Sequence, residues 1–251
     1  MTDDELRAFW GTQSSSRHRS ADPEFYRHKA EEHAALMTPE EKAAGCADLG
    51  CGAGELLYYF SDHAKVDVGL DYSRSMLDAA RSRLDQKSIP LSDADVFTYL
   101  PECTSPTWMT TGALNQYLPA PRLADLVQLF SVNAAARSFF LFDCVDPVRY
   151  AMLPCGIGYQ PMNVSARRPL SRLLRRSLRS LVNLLRVAQI VLLPRRQREW
   201  ARLPGEGLGY GYLPATWQAL AGTHQLRLEM VSSRYYEYRY HVILRKTGHD
   251  G

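Results

Sequence analysis

Between residues 46 and 145, short apolar runs alternate with longer stretches of helical pattern. Cys46 to Asp48, Val66 to Asp71, Ser88 to Ser92, Thr107 to Thr111 and Ser138 to Asp143 read as strands. The segments between them carry apolar residues at helical spacing: Leu56 to Phe60, Tyr72 to Arg81 with Ser73 as a cap, and Arg122 to Asn133. Strands and helices in this rhythm predict an α/β fold, a parallel sheet covered on both faces. Such a sheet binds ligands at the carboxyl ends of its strands, where Asp48, Asp71, Asp95 and Thr110 to Gly112 would converge.

The flanks follow other patterns. Residues 1–43 read as a polar helical arm, with Phe9-Trp10-Gly11, a Ser/Arg-rich break at 13–20, and an amphipathic helix from Glu24 to Met37. Thr38-Pro39-Glu40-Glu41 opens a further helix with a capping residue, a proline and two acids. The arm is either a lid, with Trp10 and Tyr26 over a ligand, or packing that covers a sheet edge. His28 and His33 read as helix-surface residues. At the other end, Pro214 to Ala221 reads as a helix, and Leu226 to Val231 and Tyr238 to Arg245 as strands. The chain thus divides into an arm (1–43), a core (44–146), an insertion (147–210) and a closing part (211–251).

Charge singles out the insertion. The 251 residues carry a net charge of +3, yet residues 165 to 202 hold eleven arginines against one acid, Glu199. That segment is +10 and the remainder −7. Apolar positions at three and four from Leu170 to Leu193 predict a basic amphipathic helix of roughly 36 Å. It is too charged to span a bilayer. It suits a helix packed on the core or one lying on an anionic membrane through residues 167–198. Nucleic acid is disfavoured, because residues 165–197 lack aromatic side chains for stacking. The five cysteines have no metal-ligand spacing, and no metal is expected. With no apolar leader behind the acidic N-terminus, the expectation is a cytoplasmic protein, peripheral at the membrane if the basic helix lies there.

The chemistry centres on Cys46 to Glu55. Gly50, Gly52 and Gly54 occupy every second position after the first strand, where glycine allows a tight turn and lets a ligand lie against the main chain. Glu55 follows at once; an acid there repels a pyrophosphate and tolerates a cation. Asp71 lies 17 residues beyond Gly54, near the distance at which an acid accepts the hydroxyls of a ribose.

Asp-Leu-Gly-Cys-Gly-Ala-Gly at 48–54 and Val-Gly-Leu-Asp-Tyr-Ser-Arg-Ser-Met-Leu-Asp-Ala-Ala-Arg at 68–81 resemble two signature regions of class I S-adenosylmethionine-dependent methyltransferases. The likeness is specific through residue 81 and orderly to about residue 145. It implies a Rossmann-like, mostly parallel seven-stranded sheet with an antiparallel last strand, a helical N-terminal arm and a helical insertion after the fifth strand. It implies S-adenosylmethionine as cofactor, with Asp48, Gly50, Gly52 and Gly54 at its methionine part and Asp71 on the ribose. Asp95 would reach the adenine, with Asp93 in reserve, and Tyr72, Met76, Val96 and Thr111 complete the set.

Methyl transfer from a sulfonium depends mainly on placing the acceptor in line with the methyl group; a base is needed only for a protonated, weakly acidic acceptor. Asp143, ending the fifth strand, and His241, in the run Tyr235 to His241, are the candidate catalytic groups. Gln116 and Tyr117, after the fourth strand, are further candidates to face the ligand. The tyrosines would line an acceptor pocket or pack in the core. The expected acceptor is a hydroxyl of a cell-envelope glycan or lipid-linked molecule. The alternatives are a soluble small metabolite or a non-catalytic, cofactor-binding partner subunit.

Overall fold

A computed structural model describes residues 23–152, 185, 200–202 and 209–248. Trp10 and nearly all of the expected basic helix lie outside the described residues. The order is α1 (Pro23–Ala35), α2 (Pro39–Ala44), β1 (Cys46–Leu49), α3 (Glu55–Phe60), β2 (Val66–Asp71), α4 (Arg74–Leu84), β3 (Leu91–Asp93), α5 (Val96–Tyr99), β4 (Thr107–Met109), α6 (Ala120–Val132), β5 (Ser138–Val145) and α7 (Pro147–Met152). After the insertion come β6 (Trp200–Arg202), β7 (Tyr210–Tyr212), α8 (Pro214–Thr223), β8 (Leu226–Ser232) and β9 (Arg239–Lys246).

Seven strands form one sheet in the order β3-β2-β1-β4-β5-β9-β8, and β6 pairs with β7 apart from it. The strands from β3 to β5 are parallel, while β9 runs antiparallel between β5 and β8. The expected α/β class and its antiparallel closing strand are found. β1 and β5 are buried along their whole length, as central strands covered on both faces must be. Successive residues of β5 serve opposite faces. Phe139 and Leu141 join Trp108, Phe130 and Leu244 on one side; Phe140 and Phe142 join Leu57, Phe60, Leu77 and Ile243 on the other. β8 alternates between exposed and partly buried residues, as an edge strand does.

Two of the boundaries that differ from expectation have a local reason. β3 starts at Leu91 rather than Ser88, because Ser88 has φ 52° and Pro90 has no N–H to offer the ladder. β4 ends at Met109 rather than Thr111, because the backbone N–H and hydroxyl of Thr111 turn to the Asp48 carboxylate. α2 carries the predicted cap: Thr38 and Glu41 exchange side-chain and backbone hydrogen bonds.

The tyrosine-rich end divides its labour. Tyr236 lines a cavity, and Tyr238 packs edge-on to Tyr150. Tyr240 belongs to the core: Trp217 Nε1 donates to its hydroxyl at 2.8 Å, and that hydroxyl donates to the Tyr212 carbonyl. Tyr240→Phe would leave the buried Trp217 N–H without an acceptor. We expect a loss of about 1–3 kcal/mol in unfolding free energy, measured by urea titration.

Candidate functional site

Gly50, Gly52 and Gly54 have φ of 72°, 58° and 73°. The left-handed region costs an ordinary residue roughly 1–2 kcal/mol, so three such positions in five residues demand glycine. Gly54 is also the residue from which α3 departs. Across from the turn, a Cβ on Gly112 would sit 2.0 Å from the Gly50 carbonyl oxygen, so the loop after β4 lies backbone to backbone against it.

Two carboxylates fasten this arrangement. Asp71 accepts the Gly52 N–H at 2.9 Å on one oxygen and the Ser73 N–H at 2.8 Å on the other. Burial raises its pKa more than these bonds lower it. Asp48, fully buried, accepts the Thr111 N–H at 2.8 Å and the Thr111 hydroxyl. Burial outweighs both bonds and lifts Asp48 to about 7.

Around the turn lies a cavity of about 280 Å³. Among the predicted cofactor residues, Gly50, Gly52, Asp71, Tyr72, Met76, Val96 and Thr111 line it, as does Asp143 from the predicted catalytic pair. Gln116 and Tyr117 line it too, and Gln116 Nε2 donates to the Asp143 carbonyl at 3.0 Å. Asp48, Gly54, Asp95 and His241 stand outside the lining. Asp48 and Gly54 shape the turn from behind. Asp95 caps α5 by accepting the Phe97 N–H at 2.9 Å, and its reserve Asp93 pairs with Arg74 at 2.8 Å. Glu55 lines the cavity, 3.4 Å from Arg83.

On the opposite wall, Tyr26 and Tyr236 were expected from the sequence, while Phe25, Lys29 and Arg239 were not. Phe25, Tyr26 and Lys29 of α1 line it with Tyr236 and Arg239. Lys29 is buried, and its ammonium donates to Asp143 Oδ1 at 2.7 Å and Glu32 Oε2 at 2.8 Å. Asp143 itself has φ 54° where the β5–β9 register is irregular between Leu141 and Cys144. Burial alone would raise the Asp143 carboxyl, but Lys29, with His33 and Arg239, holds it well below the usual range.

His241 is fully buried behind this wall rather than facing the cavity, which corrects its expected catalytic position. Its Nδ1 accepts the Asp143 N–H at 3.2 Å, which leaves Nε2, 3.2 Å from Glu32 Oε1, as the protonated nitrogen. Burial opposes charge on Glu32, yet His241, Lys29 and the Arg234 N–H bring it down to about 2. His33 is not on the surface either: it is fully buried, stacks on Phe142 with ring centroids 3.8 Å apart, and lies 3.6 Å from Asp143 Oδ2. Burial, with Lys29 and His241, lowers His33 to about 4 despite Asp143. Glu32, His33 and His241 bring ligand-type atoms within 4.8 Å of one another, but the cation already bonded to Glu32 and Asp143 is Lys29. Local sequence gives no signal for this cluster, whose members meet across the whole length of the chain.

Residues 46–131 match the family model described as "Methyltransferase domain". A trans-aconitate 2-methyltransferase of Variovorax paradoxus is 42% identical over 84 residues, which are 32% of this chain and 31% of that protein. The chain thus matches about a third of that curated relative's length. The fold aligns with Streptomyces venezuelae DesVI at a TM-score of 0.55 and 16% identity, over 88% of this chain and 92% of that one. It also aligns with the magnesium protoporphyrin IX methyltransferase of Synechocystis PCC 6803 with bound SAH, at 0.53 and 14%, over 97% and 93%. Residues 46–131 thus match a methyltransferase domain, and the fold is shared with a solved methyltransferase. The Synechocystis enzyme was crystallised with SAH, and human N-acetylserotonin methyltransferase, which shares the fold at a TM-score of 0.54, with SAM.

The buried cluster makes a contribution of its own to the acid response. His33 stays neutral in the folded protein down to about 4, whereas an unfolded chain takes the proton below about 6.5. Stability therefore falls as pH drops through that window. Glu32 and Asp143 have depressed pKa values, so their contribution is present above the ordinary carboxylate range and is lost as pH falls through their folded values. Asp48 and Asp71, whose carboxyls burial raises, act in the opposite direction over the same range. The test is therefore the difference between two chains: His33→Gln should lose less stability, or gain more, than the parent as urea midpoints are taken from pH 6.5 to 4.

Proposed function

We propose that the chain binds S-adenosylmethionine in the cavity beside the glycine turn and transfers its methyl group to an acceptor. The acceptor enters between α1 and the β8–β9 connection. The supporting observation is the convergence of left-handed Gly50 and Gly52, the Asp71 carboxylate and the Glu55 carboxylate on one cavity. A carboxylate oxygen has two acceptor positions, and each Asp71 oxygen uses one on a backbone N–H. The remaining positions suit two ribose hydroxyls. Glu55 beside the turn suits a ligand with cationic groups and opposes a pyrophosphate. Met76 and Val96 give the adenine an apolar wall, a role they fill in place of Asp95 or Asp93. Residues 44–146 and the closing part from 211 form one cofactor-binding core around the insertion in this proposal.

The bound cofactor supplies a methyl group on a sulfonium. The chain's own task is to place the acceptor and exclude water, which Phe25, Tyr26 and Tyr236 favour by closing the cavity with rings. Asp143 faces the cavity as the ion-pair partner of Lys29, and a carboxyl held so low is a weak base at neutral pH. Its role here is to hold charge and position beside the acceptor. The rings of Phe25, Tyr26 and Tyr236 on one wall of the cavity suit a small acceptor lying among them better than an extended glycan or lipid. The glycan or lipid acceptor, and with it a membrane surface, rests on the arginine-rich sequence of residues 165–202. No helix among the described residues is long and apolar enough to cross a membrane.

Calorimetry should detect binding of S-adenosylmethionine and none of NAD. Asp71→Ala removes charge-assisted hydrogen bonds of roughly 1.5–3 kcal/mol and should weaken cofactor binding about 10- to 100-fold. A chain that binds NAD and not S-adenosylmethionine contradicts the proposal.

A further inference from the structure

Arg239, the first residue of β9, lines the same cavity as the glycine turn. Its guanidinium lies over the rings of Tyr236 and Tyr238, 5.0 and 5.4 Å from their centroids. Its Nε is buried and has no hydrogen-bond partner among the described residues. Asp143 attracts its charge, but no carboxylate among the described residues accepts from Nε. Among the described residues Arg239 makes no ion pair. A buried guanidinium donor is costly to leave without an acceptor, and its planar fork matches a carboxylate. Beside it the cavity is aromatic: Phe25 meets Tyr236 edge-on at 6.1 Å and Tyr26 at 5.6 Å.

We propose that Arg239 anchors a carboxylate of the acceptor, and that the acceptor is therefore a small, flat carboxylic acid whose body lies among Phe25, Tyr26 and Tyr236. This rests on the methyl-transfer proposal and adds the substrate class. Arg239 is a binding residue for the acceptor; the cofactor is held from the opposite side by Asp71 and the glycine turn.

The test uses the full chain saturated with S-adenosylhomocysteine, whose binding is first measured by calorimetry. Benzoate and trans-cinnamate are then titrated against their neutral isosteres benzamide and cinnamamide. At least one acid should bind about 10-fold or more tightly than its amide. Arg239→Met should abolish that preference with the affinity for S-adenosylhomocysteine within about twofold of the parent, and Arg239→Lys should retain part of it. Equal binding of acid and amide by the unaltered chain, or an undiminished preference in Arg239→Met, overturns the proposal. The unaltered chain decides the matter even if the variants do not fold. Failure of S-adenosylhomocysteine to bind in the first titration is a separate result that removes the cofactor proposal and this one with it.

Discussion

The constraint on which the rest depends is the backbone reversal between β1 and α3. Three residues at alternate positions must be left-handed, and Asp71 bonds the middle one to the end of β2. Asp48 bonds the strand below the turn to Thr111, and Gly112 lets the loop after β4 touch the Gly50 carbonyl. Strands β1, β2 and β4 are thereby locked at their carboxyl ends, and the cavity opens where they are locked. A side chain at Gly50, Gly52 or Gly112 would strain the backbone or separate these segments. Each acid at this end acts first on the protein's own backbone.

The far wall depends on a different interaction. Lys29 comes from the N-terminal helix and Asp143 from the end of β5, 114 residues later, and their ion pair is buried. Burying a lysine and two carboxylates is expensive unless each finds partners, and here they do. Glu32 reaches His241 and the Arg234 N–H, His33 stands beside Asp143, and His241 accepts the Asp143 N–H. The cluster ties α1 to β5 and β9 and holds Asp143 in its left-handed conformation. An Asp at positive φ in a central strand is a local strain that the surrounding contacts over-determine.

The near half of the site was legible because its signals are local. Glycines at every second position and an acid at the end of the next strand reflect backbone geometry, which sequence spacing states directly. The strand–helix alternation likewise gave the sheet, with errors where Ser88, Pro90 and Thr111 depart from strand geometry. The far half was not legible. Lys29, Glu32 and His33 lie on a helix whose buried face is charged, so hydrophobic periodicity pointed the wrong way and placed His33 on the surface. Arg239 is one arginine among many. Asp95 stands outside the cavity lining and caps its own helix with one oxygen, an arrangement that sequence spacing does not show.

A crystal structure of the chain grown with S-adenosylhomocysteine tests the central claim most directly. The account predicts the two ribose hydroxyls on the Asp71 carboxylate, the amino-acid part against Gly50 and Gly52, and the sulfur facing the side of the cavity that holds Asp143 and Arg239. A nucleoside bound elsewhere, or a ribose turned away from Asp71 with the sulfur directed away from that wall, would contradict it.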